Sequence, residues 1–186
     1  MIEIMSFDLR PLFDRSDCLD RRYAASSHLF HAGDEVTVLY MVREGGVHLL
    51  RHTGGGAPVV LQHAGPGDVV AEASLYSLHY HCAAQAASDV LLAAMPIAAM
   101  RARLATDTNL AELWAKHLAR EVQAARLRSE IRSLRTVAER LDAWLGENDW
   151  KLPPKGNWRD MAAEIGVTPE ALYRELAVRR RGNTVA

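Results

Sequence analysis

The sequence predicts an α+β chain: an antiparallel β-roll first, a long helix next, and a helix-turn-helix last. Three observations carry this. Short apolar runs separated by Gly-rich turns fill residues 28–95. No Gly or Pro interrupts residues 97–145, where Ala, Leu, Arg and Glu dominate. Residues 157–176 then place small, apolar, Gly and Thr-Pro residues at the steps that two crossing helices require.

In the roll the apolar runs are Val36–Val42, Val47–Leu50, Val59–Leu61, Val69–Ala71, Ala83–Ala86 and Val90–Ala94. Gly33-Asp34, Gly45-Gly46, Gly54-Gly55-Gly56 and Gly65-Pro66-Gly67-Asp68 separate them. Short strands at about ten-residue spacing with such turns indicate an antiparallel sandwich or roll. Thr53–Ala57 reads as a hairpin tip, and a short helix is expected around Arg10–Asp20.

Beyond Pro96 the composition is helical. Leu110, Leu113/Trp114, His117/Leu118, Glu121, Ala124/Ala125, Arg128 and Ile131 recur at three- and four-residue steps, the apolar stripe being strongest from 110 to 118 and patchier later. A helix over 107–134 would run about 42 Å, longer than a small domain is wide. It is either a long core helix or one that finds its partner on a second chain. Thr136-Val137-Ala138-Glu139 has the form of a capping box, so a new helix starts at Thr136 and stops near Gly146. The expected division is 1–106 for the roll with its flanking helices, 107–134 for the long helix and 135–186 for the last domain. The hinge lies around Leu134–Thr136.

The helix-turn-helix is read residue by residue. Asn157 is placed to cap the first helix, with Asp160 near its positive end. Met161 and Ile165 share a face, and Ala162 is small where a second helix crosses. Gly166 permits the positive φ that ends the first helix. Thr168 caps the second, with Pro169 at the first position, where no N–H is needed. Leu172 and Leu176 return to the core. Glu175 stands where a core aliphatic is often found. A second helix free to enter a major groove would present Glu170 to a cytosine amine and Arg174 to a guanine. Tyr173 lies beside Arg174. Thr168, Arg179 and Arg180 are better placed for phosphates.

Bulk properties are those of an ordinary globular protein, at 49% hydrophobic and 24% charged residues. No apolar run approaches the roughly 20 residues of a membrane span. No signal peptide is visible, so a cytoplasmic protein without membrane attachment is expected. Cys18 and Cys82 make neither a disulfide framework nor a C-x-x-C pair, and two thiols cannot hold an all-cysteine iron–sulfur cluster. The net charge of −1 hides an asymmetry: 8 Lys/Arg against 12 Asp/Glu in residues 1–107, and 14 against 11 in 108–186. The phosphate-attracting half is therefore the C-terminal one. No Ser/His/Asp set, P-loop or G-x-G-x-x-G is present, so no catalysis is expected.

With these residues quoted, the chain resembles the family of the cyclic-AMP receptor protein and the fumarate–nitrate reduction regulator (Crp/Fnr), over roughly residues 28–180. In the roll the resemblance rests on Leu29–Asp34, Tyr40–Val47 and Gly65–Leu75, and at the C-terminal end on Gly166–Glu170 and Arg174. It implies an effector-responsive transcription regulator with a cyclic-nucleotide-binding-like roll. It implies a homodimer joined along the long helix and a double-stranded, near-palindromic DNA operator. It leaves RNA polymerase as a candidate partner. The family reads a G·C pair with a Glu and an Arg that match Glu170 and Arg174. Pro169 stands where some members carry a further base-reading Arg. The family's β-hairpin wing is matched here only by Gly182–Ala186, which puts operator affinity in doubt.

The resemblance assigns the effector site to Glu72, Ala73, Ser74, His81 and Cys82. Cyclic-nucleotide binders carry Gly-Glu and then Arg-Ser; here these are Ala71-Glu72 and His81-Cys82. Without that Arg a cyclic phosphate lacks its counter-charge, which disfavours cyclic AMP. The effector is otherwise unassigned. A His/Cys pair opens haem or metal ligation and redox sensing at Cys82 as alternatives to ordinary pocket filling. Two other functions compete: an effector-binding interaction protein that has lost DNA binding, and a cupin-like metalloenzyme using His79-x-His81. The remaining histidines of the roll read as surface or structural.

Overall fold

A computed structural model of the chain describes residues 8–13, 17–52, 54–56 and 58–182. Two four-stranded antiparallel sheets form the roll. The strands are β1 (Leu19–Tyr23), β2 (His28–Phe30), β3 (Val38–Glu44), β4 (Val47–His52), β5 (Pro58–Ala64), β6 (Val69–Val70), β7 (Ala83–Ala86) and β8 (Val90–Pro96). One sheet runs β1-β8-β3-β6 and the other β2-β7-β4-β5. Each of the six predicted apolar runs overlaps a strand, although Val36 and Thr37 precede β3 and Ala71 follows β6. Strands β1 and β2 were not among them. The expected helix over 10–20 is corrected: among the described residues of that stretch Arg10–Phe13 (α1) is helical, while Leu19 and Asp20 already belong to β1. Pairing with β8 from Leu19↔Ala94 to Tyr23↔Val90 recruits that segment, despite its mostly exposed side chains. The hairpin tip at 53–57 lies partly outside the described residues; Gly54–Gly56 form its turn.

Side chains from both sheets meet in one core, among them Leu39, Met41, Leu92 and Met95, with Leu12 and Phe13 of α1 and Met100 joining them. The β3–β4 turn depends on Gly45. Its φ is +79°, and a Cβ there would lie 2.2 Å from the Asp89 carbonyl oxygen.

Three helices follow: α2 (Ile97–Thr106), α3 (Thr108–Ser133) and α4 (Val137–Glu147). Asp107 separates the first two, its Oδ1 accepting from the N–H groups of Asn109 and Leu110. The 26 residues of α3 span about 39 Å. The capping box at Thr136 is present in both directions. The chain clusters into two compact units, Met1–Arg120 and Glu121–Ala186, so the division falls inside α3.

In the second unit, α5 (Trp158–Glu164) and α6 (Pro169–Gly182) pack with α4 around Ile131, Leu141, Trp144, Met161, Ala162, Ile165, Leu172 and Leu176. Gly166 has φ +71°, and Thr168 Oγ1 accepts from the Ala171 N–H at 3.2 Å, both as expected. Asn157 is corrected. Its side chain makes no capping hydrogen bond, because a 3-10 turn over Lys155–Asn157 already leads into α5.

Candidate nucleic-acid interface and effector site

The turn between α5 and α6 is held from behind by two arginines. Arg132 donates to the carbonyls of Ala163 and Glu164 at 3.0 and 3.1 Å. Arg140 donates to Gly166 and Leu134 at 2.7 and 2.9 Å. The Arg132 guanidinium adds donors at the carbonyl end of α5, where Ala163 also accepts from the Gly166 N–H at 3.2 Å, and its charge offsets the negative end of that helix. Burial lowers the Arg132 pKa, with the neighbouring Arg128 charge adding to it.

With its inner face fixed by Leu172 and Leu176, α6 presents Glu170, Tyr173 and Arg174 outward, all exposed. Thr168 is exposed at the N-terminal end. Tyr173 is steadied by the Trp158 ring, centroids 5.7 Å apart, and Arg180 lies over the same ring at 5.3 Å. Arg179 is placed differently. Its guanidinium pairs with Asp142 at 2.5 Å and Glu175 at 2.8 Å, and donates to the Ala138 carbonyl. These partners raise its pKa, the Asp142 hydrogen bond first. That arrangement accounts for Glu175: a carboxylate occupies an aliphatic position because an arginine bridges it to α4. Residues 183–186, where a wing would be sought, lie outside the described residues.

In the roll, Glu72–Tyr76 forms a 3-10 turn entered through Ala71 at φ +59°, the left-handed region that a glycine favours. Arg101 of α2 holds the turn by donating to the Leu75 carbonyl at 2.8 Å. Ala73 is exposed and Ser74 buried within it. His81 is exposed and lies 3.2 Å from Ser77 Oγ through Nε2. Burial pushes the Cys82 thiol up, so it stays protonated at neutral pH. His79 is exposed and bridges backbone to backbone with Glu35, and no metal-type cluster forms around it or His81 among the described residues.

Two features escaped the sequence reading. Arg51 of β4 reaches the site from another strand, its guanidinium 3.5 Å from the His81 carbonyl oxygen. Its charge lowers the Cys82 pKa while that of Glu72 raises it, so these three side chains share one neighbourhood. Only the β4–β7 register, with Leu50 opposite Ala83, brings Arg51 there. The second is Trp114 and His117 of α3, 4% and 8% exposed, whose Nε1 and Nε2 atoms have no hydrogen-bond partner among the described residues. Burial, then the Arg120 charge, pushes the His117 pKa down to about 4. Polar residues inside an otherwise apolar stripe were the available signal.

Residues 20–107 match the family model described as the cyclic nucleotide-binding domain, which defines the class of the roll. FixK2 from Bradyrhizobium japonicum superposes with TM-score 0.74 and 21% identity, covering 89% of this chain and 86% of that one. The c-di-GMP-responsive global regulator CLP of Xanthomonas campestris gives TM-score 0.69 and 17% identity, covering 94% and 90%. The catabolite activator protein of Thermus thermophilus gives 0.55 and 24%, covering 97% and 86%. No curated protein matches the chain. The fold is that of the Crp/Fnr transcription regulators, built on an N-terminal cyclic nucleotide-binding domain. Among the described residues no helix is long and apolar enough to cross a membrane.

Proposed function

We propose that the chain is an effector-responsive, DNA-binding transcription regulator acting as a homodimer on a two-fold-related operator. The observation that carries this is the outward face of α6, with Glu170, Tyr173 and Arg174 exposed over a turn pinned by Arg132 and Arg140. In this reading α6 enters the major groove, Glu170 and Arg174 read a G·C pair, and Thr168 and Arg180 meet phosphates. Arg179 joins them only when it leaves Asp142. Residues 1–106 sense, 107–134 dimerise and 135–186 bind DNA. Dimerisation draws support from the middle of α3, where no residue from Leu118 to Glu130 is buried and Val122 is 50% exposed. RNA polymerase is the partner through which a DNA-bound dimer would act.

The effector site comprises Glu72, Ala73, Ser74, His81 and Cys82, to which we add Arg51. Arg51 supplies a cation from β4 in place of the missing cassette Arg, which suits a small anionic effector. Its different strand and the His81-Cys82 pair keep cyclic AMP disfavoured.

The test is binding of the full chain to DNA selected from a randomised pool. Support requires a dimer by light scattering, a two-fold-symmetric selected site, and an affinity that falls steeply with salt. A chain that selects no sequence is instead an interaction protein that has lost DNA binding.

A further inference from the structure

Across the second sheet, one register line joins all four strands. His28 of β2 pairs with Gln85 of β7, Gln85 with His48 of β4, and His48 with His63 of β5. On β4 the neighbours of His48, Val47 and Leu49, are buried, so alternation turns His48 to the outward face of the sheet. His48 and His63 are half-buried, and their rings meet edge-on with centroids 4.2 Å apart.

We propose that His48 and His63 form a two-imidazole site for a borderline divalent transition-metal ion on the β4–β5 ladder. Their ligand nitrogens lie within 4.8 Å of each other. Two nitrogens bound to one such ion at about 2.0–2.1 Å stand about 3 Å apart. Turning one imidazole about its side-chain torsions closes that difference while the backbone stays in register. The donor chemistry selects the ion: imidazole suits zinc, nickel and copper, whereas magnesium and calcium require oxygen ligands. Water completes the coordination.

The rest of the line does not join in. His28 is two strands from His48, with Gln85 between them and its amide donating to the Ser26 carbonyl at 2.8 Å. His28 stacks instead on His31, with centroids 4.4 Å apart and planes at 27°. Nearly parallel rings face each other with their π-surfaces rather than converging their in-plane lone pairs on one point.

An ion there would tie β5, the last strand of its sheet, to β4 beside the irregularity at Leu49/Leu50. The site is independent of the DNA-binding proposal and of the effector site near Glu72.

The experiment is calorimetric titration of the untagged, chelator-treated full chain with zinc(II) and nickel(II), with magnesium as control. One equivalent per chain should bind. His48→Gln and His63→Gln should each weaken it about tenfold or more, while His28→Gln and His31→Gln leave it unchanged. In the unsubstituted chain, copper(II) should broaden the imidazole resonances of His48 and His63 before those of any other histidine. That measurement stands even if a variant fails to fold. No uptake by the unsubstituted chain, undiminished uptake by either variant, or first broadening elsewhere would overturn the site.

Discussion

Arg140 on α4 donates to the carbonyl oxygen of Gly166 at 2.7 Å, so the residue that makes the turn between α5 and α6 is held by a residue far from it in sequence. The same guanidinium also binds the Leu134 carbonyl at the end of α3. One side chain therefore secures both the end of α3 and the turn. Removing it as Arg140→Ala should destabilise the second unit by about 1.5–3 kcal/mol, the worth of hydrogen bonds to a charged group. Arg140→Lys should recover only part of this, because an ammonium cannot span both carbonyls. Urea unfolding followed by tryptophan fluorescence measures both.

Gly166 accepts a side chain only under strain. Its φ is +71°, and a Cβ would sit 3.0 Å from Arg132 Cγ and crowd the arginine that caps α5. Gly166→Ala should cost about 1–2 kcal/mol from backbone conformation alone. Thermal melts should show a loss at least that large; an unchanged midpoint would contradict the turn geometry.

Arg174 is exposed and makes no hydrogen bond or ion pair with another side chain among the described residues, so its loss should separate binding from stability. Arg174→Ala should lower affinity for the selected DNA by about 1–3 kcal/mol and relax preference at one base pair. The melting temperature should not move. Fluorescence anisotropy against single-base variants of the selected site gives the answer. Equal affinity for all of them in the unsubstituted chain would remove the base-reading role.

Arg179 is held by Asp142 and Glu175 at the surface, and such exposed pairs are worth about 0.2–1 kcal/mol. Asp142→Ala should therefore barely alter stability. It frees one arm of Arg179 for phosphate, so the salt dependence of DNA binding should steepen by about 0.9 in slope. Affinity measured at several salt concentrations tests this.

His117 predicts an acid-sensitive roll. Folding pushes its pKa down to about 4, through burial first and the Arg120 charge second. Unfolded, the group titrates near about 6.5. Above that, neither state is protonated and the full stability is present. Between the two values only the unfolded chain binds the proton, so stability falls as pH drops. The loss attributable to this group should be about 2–3 kcal/mol by pH 4. His117→Phe should remove it from the difference between urea melts at pH 7 and pH 4.5.

The order of elements followed from local signals in the chain alone. Apolar runs broken by Gly turns gave six strands, the absence of Gly and Pro gave the long helix, and Gly166-Val167-Thr168-Pro169 gave the turn. Each reflects backbone sterics or burial acting within a few residues. Tertiary structure decided what depended on pairing. Strand β1, with Asp-Arg-Arg in its middle, shows no apolar alternation and exists because β8 offers it an edge. Arg51 reaches the His81 carbonyl, His48 meets His63, and Arg179 abandons the outward face for Asp142, all through registers and crossings that no local pattern encodes. A hydrogen-bonded ladder or a packed helix pair brings together residues distant in sequence, and a charged or imidazole side chain takes its role from the neighbour it meets there.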